Sequence, residues 1–169
     1  KIPRRYLEMG LNRFLPQVQF LTNSQALYER GLALISPDGA LQDVDEAAQC
    51  FRKAADQGHA GAQLQFGLLC QSGQGVREDF AEAMRWYRKA AEKKEPHATC
   101  SIAALYHEGI GVPQDLDEAA KWYRVEADGN CARSQFNLGR ILEAKLDTDA
   151  AVKWYRRAAE GGATPAQAK

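Results

Sequence analysis

The residues best equipped for metal binding or nucleophilic chemistry are three histidines, His59, His97 and His107, and four cysteines, Cys50, Cys70, Cys100 and Cys131. Their spacing supports neither use. The cysteines stand singly with no CxxC pair, which argues against a zinc ribbon or a redox motif. The histidines are scattered, and His59 and His97 fall at predicted helix starts, where polar residues are routine. Enzymes built around Ser-x-x-Lys, G-x-S-x-G, H-E-x-x-H or a Walker G-x-x-x-x-G-K would show those strings, and none occurs. The Gly-x-Gly pairs at 73–75 and 109–111 follow helical segments, so they do not read as dinucleotide fingerprints. No catalytic residue, metal-ligand set or cofactor is therefore expected.

The carboxylates that recur are spaced for structure. Asp43/Glu46, Asp79/Glu82 and Asp115/Glu118 repeat as D-x-x-E. At that spacing the Asp caps free helix amides and the Glu reaches back, as in a capping box. Each pair opens a version of one helix: Glu46–Asp56 (EAAQCFRKAAD), Glu82–Glu92 (EAMRWYRKAAE) and Glu118–Asp128 (EAAKWYRVEAD), with Ala150–Glu160 (AAVKWYRRAAE) as a fourth copy. The first three lie 36 residues apart and the fourth follows after 32. A fixed period of this size means stacked units sharing a core.

Each unit holds two helices, A and B. In the first B helix Ala47, Cys50, Phe51, Ala54 and Ala55 recur at helical spacing. Trp86, Trp122 and Trp154 share the Cys50 column, and Tyr87, Tyr123 and Tyr155 share the Phe51 column. This aromatic stripe reads as core. In the A helices small residues align (Ala26/Ala62/Ala98/Ser134 and Gly31/Gly67/Ala103/Gly139), letting helices approach closely. Apolar columns lie between them, Tyr28/Leu64/Cys100/Phe136 and Ala33/Leu69/Leu105/Ile141. Pro37–Ala40, Gly73–Val76 and Gly109–Val112 form the A–B turns, where glycines supply positive φ.

The period divides the chain into repeats 24–59, 60–95, 96–131 and 132–163, the last with a turn shortened by four residues. Residues 1–23 read as a capping helix and linker. Tyr6, Leu7, Gly10, Leu11, Phe14 and Leu15 form its stripe, and Pro16 makes a helix interior unlikely just beyond it. Residues 164–169 begin a further A helix, since Ala166-Gln167 aligns with Ala62-Gln63; the chain reads as a fragment of a longer array. Lysine plus arginine equals aspartate plus glutamate at 22 each, so no strong field points to nucleic acid or an anionic membrane. No apolar run is long enough to cross a bilayer. The chain opens Lys-Ile-Pro-Arg-Arg, without an initiating Met or a signal peptide, which leaves the compartment open.

The consensus A-x-x-x-x-G-x-x-Y-x-x-G-x-G-V-x-x-D followed by E-A-x-x-W-Y-x-x-A-A resembles the Sel1-like repeat, a relative of the tetratricopeptide repeat. Ala98–Ala127 is a close match through Tyr106, Gly109, Gly111, Val112, Asp115, Trp122 and Tyr123. The resemblance covers residues 24–163. It implies an all-α, right-handed α–α superhelix with A helices lining a concave surface, and a bacterial source in cytoplasm or periplasm. It also implies non-enzymatic adaptor or scaffold work on another protein or peptide, without nucleic acid or membrane insertion. Self-association through the N-terminal helix or the open C-terminal end stays open. By analogy with tetratricopeptide repeats, the groove candidates are Gln65, Leu68, Gln71, Ser101, His107, Asn137, Arg140 and Glu143. Such a surface suits an extended peptide or a partner helix, and Asn137 with Arg140 could grip a carbonyl or carboxylate.

Three departures from the pattern matter. Arg30 stands in the column of Phe66, Ile102 and Leu138. Glu126 falls on a core-facing column, where an unpaired carboxylate is costly, so it is expected to reach a basic partner or the surface. Cys50, Cys70 and Cys100 replace core residues at no regular pair spacing and read as free thiols, unlike the cross-repeat pairs of the cysteine-rich Helicobacter branch linked to penicillin binding. Two other readings are a penicillin-interacting, β-lactamase-like protein of that type and a structural spacer in a longer array.

Overall fold

Alternation of alanine-rich amphipathic segments with glycine- or aspartate-marked turns leaves this chain one economical choice, helices packed in pairs. The computed structural model describes residues 15–35 and 43–161, the side chains of 15–22 apart. Eight α-helices occupy them: α1 Leu15–Leu34, α2 Val44–Asp56, α3 Ala60–Ser72, α4 Phe80–Glu92, α5 Ala98–Glu108, α6 Leu116–Asp128, α7 Ala132–Ala144 and α8 Thr148–Glu160. Odd numbers are the A helices and even numbers the B helices. They form two compact units, α1–α3 and α4–α8. In the first unit α1 packs on α2 and α2 on α3; in the second each helix packs on the next.

The N-terminal end differs from expectation. α1 runs unbroken across the 23/24 boundary, and Pro16 lies in its first turn, where a missing N–H costs no helix hydrogen bond. The rest of the expected capping stripe, the turn Pro37–Ala40 and residues 164–169 lie outside the described residues.

The first three B helices are capped as the sequence suggests, and Asp147 caps α8 in the same way. Asp43, Asp79, Asp115 and Asp147 accept the amides of Glu46, Glu82, Glu118 and Ala150 at 2.9, 2.8, 2.9 and 3.2 Å. Each such cap contributes about 1 kcal/mol. The glutamate half of the box is used differently. Glu82 and Glu118 accept the indole N–H of Trp86 and Trp122 one turn later, at 3.3 and 3.1 Å. The Asp115 amide, which a capping box would give to Glu118, donates to the Tyr106 carbonyl at 3.0 Å. Glu46 pairs with Arg30, so the arginine in an apolar column points to solvent and to the next helix.

The A helices α3 and α5 end on glycines in the left-handed region, Gly73 and Gly109, whereas α7 ends on Lys145. Gly109 (φ +70°) donates to the Leu105 carbonyl, and Gly111 (φ +69°) lies so close to Phe80 that an added Cβ would sit 2.3 Å from the phenylalanine Cβ. A side chain there would suffer both strain and a clash.

The aromatic column forms the core. Phe51 and Tyr87 are fully buried and Tyr123 nearly so. An added Cβ on Gly31 would lie 2.7 Å from the Phe51 ring, and one on Gly139 2.7 Å from the Tyr155 ring. Trp86 is buried, but Trp122 and Trp154 are only half-buried. Lys89 Nζ lies 4.0 Å from the Trp86 ring centroid and Arg157 stacks 4.6 Å over Trp154, so cations cover the outer faces. Ala33, expected in the core stripe, is exposed in the last turn of α1, and Ala26 is exposed while Ala62, Ala98 and Ser134 are buried. Gln63 and Gln135 tie A helices to the preceding B helices, donating to the Ala55 and Ala127 carbonyls at 3.2 and 2.9 Å.

The fourth repeat closes its shortened turn through Leu146, which adopts φ +62° and is 89% exposed. A left-handed leucine costs about 1 kcal/mol, and the side chain contributes no packing in return. Leu146→Gly is expected to raise the free energy of urea unfolding by up to about 1 kcal/mol. A loss of stability on this substitution would contradict the assignment of strain to this residue.

Candidate functional site

Once the aromatic column and the apolar A-helix columns are committed to packing, the remaining A-helix faces carry the residues available to a ligand. On α3, Gln65, Leu68 and Gln71 recur every third residue; Leu68 is 40% exposed and the two glutamines are half-buried. Leu32 on α1 is also 40% exposed. The second unit carries Ser101 and His107 on α5, and Asn137, Arg140 and Glu143 on α7.

Several of these side chains already have local duties. Ser101 Oγ donates back to the His97 carbonyl at 3.1 Å, within its own helix. Glu143 accepts the Tyr155 hydroxyl at 2.7 Å, fastening α7 to α8. Burial, and next that hydrogen bond, push the Tyr155 hydroxyl up to about 12. Arg140 bears on His107: burial first, then the Arg140 guanidinium, push the His107 imidazole below its usual range, against a smaller opposing pull from Glu108. Asn137 is half-buried and Arg140 exposed one turn further along α7.

That lowering, mainly from burial, sets a pH dependence. A histidine lowered in the folded state binds its proton more weakly there than when unfolded. Its contribution to stability is therefore complete above about pH 6.5 and declines as pH falls below that value. NMR titration is expected to place His107 below the ordinary histidine value and to find it raised in Arg140→Ala. An unchanged value in the variant would separate the two residues.

The histidines at helix starts behave differently from each other. His59 caps α3, its Nδ1 accepting the Ala62 amide at 3.1 Å, while Nε2 lies 2.9 Å from Gln25 Oε1. The accepting Nδ1 fixes a neutral tautomer with the proton on Nε2. Its ring stacks on Tyr28 with centroids 4.3 Å apart. His97 makes no side-chain cap bond and adopts φ +68°.

All four cysteines are thiols; Cys50, Cys70 and Cys100 are buried, and Cys131 is the N-cap of α7. Arg133 Nη2 lies 3.5 Å from Cys100 Sγ, and burial foremost pushes that thiol up. Glu126 reaches neither the surface nor a strong basic partner. Its side chain is 13% exposed, and its Oε1 accepts Thr99 Oγ1 at 2.9 Å and the Cys100 amide at 3.3 Å. Its Oε2 accepts Ser134 Oγ at 3.0 Å, with His97 Nδ1 at 3.9 Å. The carboxylate thus caps α5 from α6, where the positive end of the helix dipole stabilises it. No metal-ligand set was expected, yet the fold brings ligand atoms of His97, Glu126 and Cys131 within 4.8 Å of one another. Their separation of 29 to 34 positions from His97 hid this grouping from any motif search.

The Sel1 repeat family matches at residues 24–59, 60–94, 96–125 and 132–162, and the chain belongs to that family. A Sel1 repeat protein from Oxalobacter formigenes superposes with a TM-score of 0.75 at 32% identity, over 85% of this chain and 60% of its own. A protective antigen present in uropathogenic Escherichia coli strains, displaying an SLR fold, superposes with a TM-score of 0.78 at 34% identity, over 89% of this chain and 33% of its own. The chain thus spans less than two thirds of either protein. Cysteine-rich protein B of Helicobacter pylori shares the fold alone, with a TM-score of 0.51 at 18% identity over 68% of this chain and 84% of its own. No curated protein gives a significant sequence match. The fold class is thus the all-α helical repeat of these structures. Sel1 repeats are typically non-catalytic modules that mediate protein–protein interactions. Among the described residues no helix is long and apolar enough to cross a membrane.

Proposed function

We propose that this chain is a non-enzymatic interaction module that holds a partner protein, as an extended peptide or a helix, on the exposed columns of its A helices. The supporting observation is the partition of apolar surface. Phe51, Tyr87 and Tyr123 are committed to the core, yet Leu32 and Leu68 remain 40% exposed at one column of α1 and α3. The half-buried Gln65 amide beside Leu68 would add hydrogen bonds to an extended peptide. In the second unit His107, Asn137 and Arg140 would recognise a carbonyl or carboxylate on the partner, with Arg140 carrying the charge. Glu143 and Ser101 would contribute less, because each already bonds within its own unit.

Affinity capture tests this reading, using the chain beside a variant with Gln65, His107, Asn137 and Arg140 changed to Ala. A partner held by the first bait is expected to bind the second at least about tenfold more weakly, since a few central residues carry most binding energy. Equal retention would remove the A-helix faces from consideration. Specific capture by neither bait would favour a spacer in a longer array.

A further inference from the structure

We propose that His97, Glu126 and Cys131 form a binding site for one zinc-like divalent cation at the junction of α5, α6 and α7. The three come from different elements: the N-cap of α5, the last turn of α6 and the N-cap of α7. One ligand atom from each lies within 4.8 Å of the others, and His97 Nδ1 is 3.9 Å from Glu126 Oε2. Ligands bonded tetrahedrally to zinc at about 2.0–2.3 Å lie roughly 3.3–3.8 Å apart. Closing around an ion therefore requires shifts of well under an ångström for the His–Glu pair and about an ångström at most for the widest pair.

The surroundings fit that use. His97 and Cys131 occupy N-cap positions yet make no capping bond, whereas His59 at an equivalent helix start spends its ring on one. Glu126 is held from behind by Thr99, the Cys100 amide and Ser134, and hydrogen bonds of this kind orient a ligating carboxylate. The same column holds Ala54, Ala90 and Ala158 in the other B helices, so the carboxylate is particular to this junction. Among the described residues no second group of this kind occurs.

Charge and softness select the ion. A neutral imidazole, a carboxylate and a thiolate together balance a divalent cation, and coordination releases the thiol proton to solvent. A sulfur, nitrogen and oxygen set favours zinc over magnesium or calcium. The N-termini of α5 and α7, and the Arg133 guanidinium near Cys100, oppose a cation; the two anionic ligands offset them. The His97 side chain is 62% exposed, so an ion can enter from solvent and keep water in its fourth position.

The test is a cobalt titration of the purified chain in a reductant without thiols, followed by zinc competition. One equivalent of Co²⁺ is expected to produce a thiolate-to-cobalt charge-transfer band that Zn²⁺ removes. Cys131→Ser should abolish the band, and His97→Ala should weaken binding at least about tenfold. Serine is a favourable N-cap and His97 is largely exposed, so both variants should keep the helical circular dichroism of the parent. Absence of the band, its survival in Cys131→Ser, or unchanged affinity in His97→Ala would overturn the site.

Discussion

The structure depends on how closely an A helix can approach the B helix that follows it. In the first repeat that distance is set by Gly31, which presents bare backbone to the ring of Phe51, and in the fourth by Gly139 facing Tyr155. Where Ala103 takes the column, its methyl is fully buried in the cluster that holds Tyr123. Burying a large aromatic such as Phe51 contributes on the order of 3–5 kcal/mol by truncation. Aspartate caps fix where each B helix begins, so the ring meets its seat in the first and fourth repeats.

This arrangement separates stability from recognition. Packing uses the ring, alanine and leucine columns, while Leu32, Leu68 and Arg140 stand partly or largely exposed beside them. Substitution there costs the fold little, which lets one scaffold present different surfaces. The third repeat shows how such freedom reaches the core. Glutamate takes an alanine column, and the fold accommodates it with two hydroxyls and a helix N-terminus instead of a salt bridge to Arg or Lys.

Much of this was legible in the sequence because it is local. Positions three or four residues apart must share a helix face, so the Phe51 and Tyr87 columns and the aspartate caps could be placed from spacing alone. Two kinds of feature were not. Side chains with a choice of partner took another donor: Glu82 and Glu118 turned to the indoles of Trp86 and Trp122 instead of their own N-caps. Groups from different elements met only after folding. Glu126 touches Thr99 and Ser134 because α5, α6 and α7 pack in order, a proximity that no spacing rule contains. The A-helix faces stand between these cases, since their columns follow from the period but their occupant does not.

The central claim, that a ring seated on bare backbone sets the helix-pair distance, is tested most directly by a double-mutant cycle on Gly31 and Phe51. Helix propensity alone would make Gly31→Ala stabilising by about 0.5–1 kcal/mol. The account expects the opposite in urea unfolding: a loss of about 1–3 kcal/mol from overpacking against the ring. It also expects that loss to shrink by at least about 1 kcal/mol when Phe51→Leu removes the ring. A stabilised Gly31→Ala, or the same loss in both backgrounds, would contradict it.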